Sequence, residues 1–196
     1  MRYTGHLDLF RSWERTFRRS GLPLAYSLGF HPQPRLNLAC ALPLGFTSEC
    51  EILDAWLECT LPLSEIQPAL EPVLPPGLTI LEMDFVDDHA PALQTQVISA
   101  VYMITFLDDI PDLDERIARI FSAEHLPRQR RDKNYDLRLL IEDMLSLPAE
   151  ESGNQRLQLK LAARQAATGR PEELLDEIGI KFENTLIHRE KLIFLS

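Results

Sequence analysis

The 196 residues hold only three cysteines, Cys40, Cys50 and Cys59. Their odd number and wide spacing exclude a disulfide framework. They sit in strand-like apolar runs, and they read as buried thiols of a reducing cytoplasm. Long apolar runs are missing too. No stretch approaches the ~20 residues that span a bilayer. The opening Met1-Arg2-Tyr3-Thr4-Gly5-His6 has neither the apolar core nor the small-residue cleavage site of a signal peptide. A cytoplasmic protein with no membrane partner is therefore expected. No Cys-x3-Cys-x2-Cys run is available to hold an iron–sulfur cluster. Zinc-ligand pairs, phosphate-cradling glycine loops and a Gly-x-Ser-x-Gly elbow are absent as well. Neither a metal nor a cofactor is expected.

Basic residues are scarce, and their distribution is uneven. The formal net charge of −10 excludes indiscriminate binding of nucleic acid, which needs a basic excess. Yet residues 1–48 carry Arg2, Arg11, Arg15, Arg18, Arg19 and Arg35 against only Asp8 and Glu14. Residues 49–95 reverse this, with ten acidic side chains and no Lys or Arg. The first stretch is a candidate contact for an anion. The second is a solvent face or a docking face for a basic partner.

Periodicity predicts the elements. Leu7, Phe10, Trp13 and Phe17 form the apolar stripe of a helix over 7–19, with Arg11, Arg15, Arg18 and Arg19 on the other side; Gly21 and Pro23 end it. Two-residue alternation predicts strands over 36–42 and 53–59. Ser64 is a candidate cap for a helix running to about Val73, and a strand is expected over 78–85. With Met1–Tyr3 as a short opening strand, the order is βαββαβ, the ferredoxin-like unit. The second half repeats the order: a strand over 97–106, a helix over 111–121, strands over 135–139 and 157–163, a helix opened by Pro171, and a strand over 186–194. The expectation is an α+β protein of two tandem ferredoxin-like (βαββαβ) halves with antiparallel sheets, 1–88 and 92–196, joined at Asp87–Pro91.

Three places carry candidate chemistry. His6-Leu7-Asp8 opens the first helix, where free amides and the helix dipole favour an anion; Asp8 also suits a first turn and His6 a packing role. The second place, Tyr26-Ser27-Leu28-Gly29-Phe30-His31-Pro32-Gln33-Pro34-Arg35, is stiffened by its prolines. It combines aromatic rings, an imidazole and a guanidinium that suit a base and a phosphate, although Phe30 equally suits a core plug. Arg128, Arg130, Arg131 and Lys133, followed by Tyr135 and Arg138, are a third candidate contact for an RNA backbone, or a solvated loop.

Several of these segments resemble a bacterial family of radical-SAM-linked proteins of unknown function. Gly5-His6-Leu7-Asp8 is similar to its Ser-His-Leu-Asp helix start, with Gly5 where Ser is usual. Gly21-Leu22-Pro23-Leu24-Ala25-Tyr26-Ser27 and Gly29-Phe30-His31-Pro32-Gln33-Pro34 resemble its next two motifs. Ala41–Gly45, Ser48–Glu51, Tyr135–Arg138, Gly169–Leu175 and His188-Arg189 also fit its pattern. The resemblance implies a radical-SAM protein encoded nearby or fused in relatives, and a setting near RNA processing and ribosomal components. The proline loop and the element order also resemble the repeat-processing endoribonucleases of CRISPR systems, which cut RNA without metal, often with His as acid or base. The expected function is an accessory substrate-recognition module, RNA- or ribosome-related, working with a radical-SAM enzyme. Its anion contacts would be His6, Arg11, Arg15, Arg18, Tyr26, Phe30, His31, Arg35, Arg128, Arg130, Arg131 and Arg138. One alternative is a metal-independent endoribonuclease using His6 or His31. Another is a protein-interaction scaffold that uses the acidic face over 49–88.

Overall fold

The structure, a computed structural model, describes residues 2–149 and 153–195. It is a mixed α+β protein with antiparallel and mixed sheets. The described chain divides into two compact units. One comprises the residues up to Gly45 together with Glu51–Gln96; the other comprises Phe46–Cys50 and the residues from Val97 onward.

In the first unit, helix α1 (His6–Ser20) follows the predicted stripe and ends at Gly21, whose φ of 73° is the left-handed cap expected of glycine. Phe17 is buried, and Phe10 and Trp13 pack beside it against Leu24, Leu36, Ile66 and Leu70. The sheet is small. Strand β1 (Leu36–Leu38) pairs antiparallel with β3 (Leu53–Ala55), in the register Leu36 to Ala55, Asn37 to Asp54 and Leu38 to Leu53. Alternation therefore sends the apolar side chains to the core and Asn37 and Asp54 together to the opposite face. Helix α2 (Leu63–Leu70) continues as a 3-10 turn over Glu71–Val73. Pro62, not Ser64, occupies its cap position. A short helix, α3 (Leu93–Gln96), closes the unit.

This unit departs from βαββαβ. Arg2 and Tyr3 lie in a turn rather than an opening strand, and Met1 lies outside the described residues. Leu78–Phe85 is not a strand. Its Ile80 and Met83 instead pack onto the core as side chains of irregular backbone. Apolar residues two or three apart satisfy that packing without a partner strand, so periodicity alone misreads them.

The second unit is built on a sheet with the order β2 (Thr47–Ser48), β10 (Thr185–Phe194), β4 (Val97–Phe106), β8 (Arg156–Arg164) and β7 (Ile141–Leu147), with β9 (Ala167–Thr168) on β8. Every neighbouring pair is antiparallel except β2 with β10, which is parallel. Helix α4 (Leu113–Ser122) follows β4, and α5 (Pro171–Glu177) follows the β8–β9 pair. The order β4–α4–β7–β8–α5–β10 is βαββαβ, interrupted by an inserted hairpin of β5 (Pro127–Arg130) and β6 (Lys133–Asp136). The expected strand over 135–139 is the end of β6 running into a 3-10 turn (Leu137–Leu140), where Asp136 accepts from the Arg138 amide. The edge strand β7 takes the place in the sheet. Leu157, Leu159, Leu161, Ile104 and Phe106 are fully buried. Arg189 on β10 is buried with them, and its carbonyl accepts from the Ser48 hydroxyl at 3.1 Å. No cysteine is disulfide-bonded; Cys40 and Cys50 are half-buried, while Cys59 is exposed rather than buried as expected. No helix of the described residues is long and apolar enough to cross a membrane.

Candidate functional site

The helical period places Arg11, Arg15 and Arg18 on one exposed face of α1. They span about 10 Å of helix axis at ~1.5 Å per residue. Arg11 lies 3.8 Å from Asp8, an exposed pair of little energy. Arg15 and Arg18 have no ion pair among the described residues. Arg19 is drawn away, donating to the Val73 carbonyl at 2.6 Å. The face is thus a row of cations with solvated heads, ended by an exposed Leu7.

The proline segment of the same unit is a closed loop on a hydrogen-bonded stem. Three backbone bonds knit the stem: Ala25 N–H to Trp56 O at 2.7 Å, Arg35 N–H to Ala25 O at 2.8 Å, and Trp56 N–H to Arg35 O at 3.1 Å. The Arg35 guanidinium stacks over the Trp56 ring, 5.0 Å from its centroid. Above the stem, Tyr26 bridges to Pro34, and Ser27 and Gln33 exchange two hydrogen bonds. Gly29 turns the tip with a φ of 134°, which side-chain-bearing residues rarely adopt. Leu28 and Phe30 stand at 102% and 103% exposure. Phe30 is therefore no core plug; it is a ring presented to solvent by a braced loop. Tyr26 and His31 are exposed on the same segment.

His6 and His31 are both exposed, and among the described residues neither side chain has a hydrogen-bond partner. In the second unit, the basic run is largely engaged internally. Arg128 is bonded to Glu177 and lies 3.4 Å from Asp176. Arg130 binds Glu173 at 2.7 Å and 3.1 Å and also the Thr168 carbonyl, with its guanidinium over the Tyr135 ring. Arg138 donates to the Ile141 carbonyl and lies over Phe121. Arg131 is exposed at the hairpin tip with a φ of 56°. The carboxylate partners of Arg128 and Arg130 lie 43 to 49 residues away in the chain, which is why the run reads as free cations in the sequence. The local network also buries Glu172, whose carboxyl is pushed above its ordinary value chiefly by desolvation. One carboxylate oxygen each of Glu172 and Glu173, and the Tyr135 hydroxyl, are buried with no hydrogen-bond partner among the described residues.

Sequence reading passed over one feature of the first unit. A cavity of about 170 Å³ is lined by Asn37, Asp54, Trp56, Val86, Asp87 and Ala90–Ala92. The one available signal was Asp54, a carboxylate inside an apolar alternating run.

Fold and site together define an α+β protein that presents an arginine row and a braced aromatic loop, with no cluster of three or more His, Cys, Asp or Glu fit for a metal among the described residues. Residues 1–171 match the family described as "Uncharacterized protein conserved in bacteria (DUF2344)", and the chain belongs to that family. Comparison with curated proteins finds no match. Among solved structures, the chain is similar at 10% identity and a TM-score of 0.49 to one described as "Crystal Structure of a Cbf5-Nop10-Gar1 Complex"; the match covers 98% of this chain and 46% of that one.

Proposed function

We propose that this chain is a non-catalytic accessory module that holds an RNA or ribosomal component for a radical-SAM enzyme of the cytoplasm. The observation that carries the reading is the row Arg11, Arg15 and Arg18 in the same unit as the braced loop with its fully exposed Phe30. Guanidinium groups with solvated heads are suited to phosphate oxygens, and an exposed ring to a base face. The overall charge of −10 does not oppose this locally, because screening confines surface fields to about 8–10 Å. Arg35 supports the loop through Trp56, and His31 adds a donor at its tip. Arg128 and Arg130 have no part in the reading, since α5 carboxylates hold them. The radical-SAM partner comes from the family resemblance of the His6–Asp8 and Gly29–Pro34 motifs. No catalytic step is assigned to His6 or His31; both are exposed, and among the described residues neither side chain has a hydrogen-bond partner.

The test is salt-dependent RNA binding by the full chain, together with capture of a radical-SAM protein encoded beside it. Replacing Arg15 and Arg18 by Gln removes two contacts, and the slope of log K against log salt falls by about 1.4 for a single strand. Phe30→Ala costs ~1–3 kcal/mol of RNA affinity. Unchanged slope and affinity in these variants, with no radical-SAM protein recovered, would remove the reading.

A further inference from the structure

The first-unit cavity lined by Asn37, Asp54 and Trp56 has a composition unlike that of the arginine row. Asn37 and Asp54 face one another across β1 and β3, on the side away from the core. Trp56, two residues on, falls on the same face by alternation. The segment around Val86, Asp87 and Ala90–Ala92 forms the facing wall. Gln94 of α3 donates to Asn37 Oδ1 at 3.2 Å and holds that amide in place. Asp87 is fixed from outside by the His89 amide at 2.7 Å. The Asp54 carboxylate is different. It is half-buried and has no hydrogen bond or ion pair among the described residues. Desolvation accordingly pushes its carboxyl above the usual carboxylate range. A partly desolvated carboxylate with no counter-charge can take a charged donor.

We propose that the Asn37–Asp54–Trp56–Asp87 cavity captures one arginine side chain of a basic protein segment. Three observations select that occupant. The cavity's 170 Å³ is on the scale of one long side chain and too small for a folded element. Its walls pair a planar indole with a carboxylate, the combination that takes a guanidinium flat against the ring and two N–H groups on the oxygens; a compact ammonium gains less from it. Trp56 already stacks a guanidinium, that of Arg35, at 5.0 Å from its ring centroid, and Arg35 does not line the cavity. The surroundings decide the sign. Residues 49–95 hold ten carboxylates and no Lys or Arg, a field that draws in a basic polypeptide and repels a polyphosphate. This site goes beyond the phosphate contacts of α1 and does not depend on them.

The experiment uses the full chain labelled with nitrogen-15 and a synthetic glycine-rich dodecapeptide carrying three arginines, compared with its lysine counterpart. Trp13 and Trp56 are the chain's two tryptophans, so each indole N–H reports separately. The arginine peptide is expected to shift the Trp56 signal and leave Trp13 unmoved. Asp54→Asn, close in shape to the native residue, weakens binding about tenfold, the loss that follows from one charged hydrogen-bonded contact. Trp56→Leu has the same effect. Should Trp56→Leu unfold the chain, the Asp54→Asn titration and the native indole shifts decide alone. The lysine peptide binds several-fold more weakly. The proposal is overturned if the two peptides bind equally and Asp54→Asn changes nothing, or if Trp13 moves instead of Trp56.

Discussion

Ser27 and Gln33 lock one another across the proline loop: the Ser27 amide donates to the Gln33 carbonyl at 2.8 Å, and the Gln33 amide donates back to the Ser27 hydroxyl at 2.9 Å. Pro32 and Pro34 supply no donors, so this pair bears much of the closure. Ser27→Ala removes one of the two bonds, at a cost of ~0.5–1.5 kcal/mol to the closed loop. Faster hydrogen exchange at the Gln33 amide, with global stability little changed, is the expected result.

The start of α1 offers a gain. Gly5 is its cap residue, with φ −72° and ψ 162°, and no side chain caps the free amides. A Cβ there would meet only Asp8 Oδ2, at an ordinary 3.6 Å. Gly5→Ser therefore restores the missing hydroxyl without a clash and lowers the entropy of the unfolded chain. Stability rises by about 0.3–1 kcal/mol, read from chemical denaturation.

Arg128 and Arg130 are held by carboxylates of α5, so their replacement is expected to be read in stability. Arg130→Ala strips Glu173 of its partner in a partly buried network already holding unsatisfied oxygens. The loss is on the order of 1–3 kcal/mol, discounted at the exposed edge of the pair. On the proposed reading RNA affinity per folded molecule is expected to stay the same, measured by filter binding on the purified variant.

Two glutamates pull the pH dependence in opposite directions. Glu172 has its carboxyl raised by burial, so the folded state holds its proton more tightly than the unfolded state. Its contribution is present below the ordinary pKa of 4.5 and is lost as pH rises through the higher folded value. Glu142 is the reverse. Burial opposes its charge, but the Ser99 hydroxyl, Lys160 and Arg164 outweigh that and lower its pKa. It stabilises above its ordinary 4.5 and loses that contribution as pH falls through the lowered value. Glu172→Gln should raise stability at pH 7 relative to pH 4, and Glu142→Gln should lower it, both read from unfolding midpoints across that range.

The elements that were legible in the sequence are those whose burial is one-sided or complete. Helix α1 and most of strand β8 carry a regular apolar period, and β4 is apolar along nearly its whole length, because each lies in one kind of environment over most of its residues. Leu78–Phe85 was misread because apolar spacing records contact with a core, not the presence of a strand to pair with. Strand β7 was missed because, at the sheet edge, it carries Glu142 and Asp143 among its apolar residues.

The sequence by itself determined the α+β class, the arginine face of α1 and the stiffness of the proline loop, because each follows from residues within one or two turns of chain. Tertiary structure alone decided which cations stay available and where an uncompensated carboxylate lies. Charge neutralisation is a matter of distance in space: Arg130 finds Glu173 from 43 residues away, while Asp54, flanked by apolar neighbours, finds no counter-charge among the described residues.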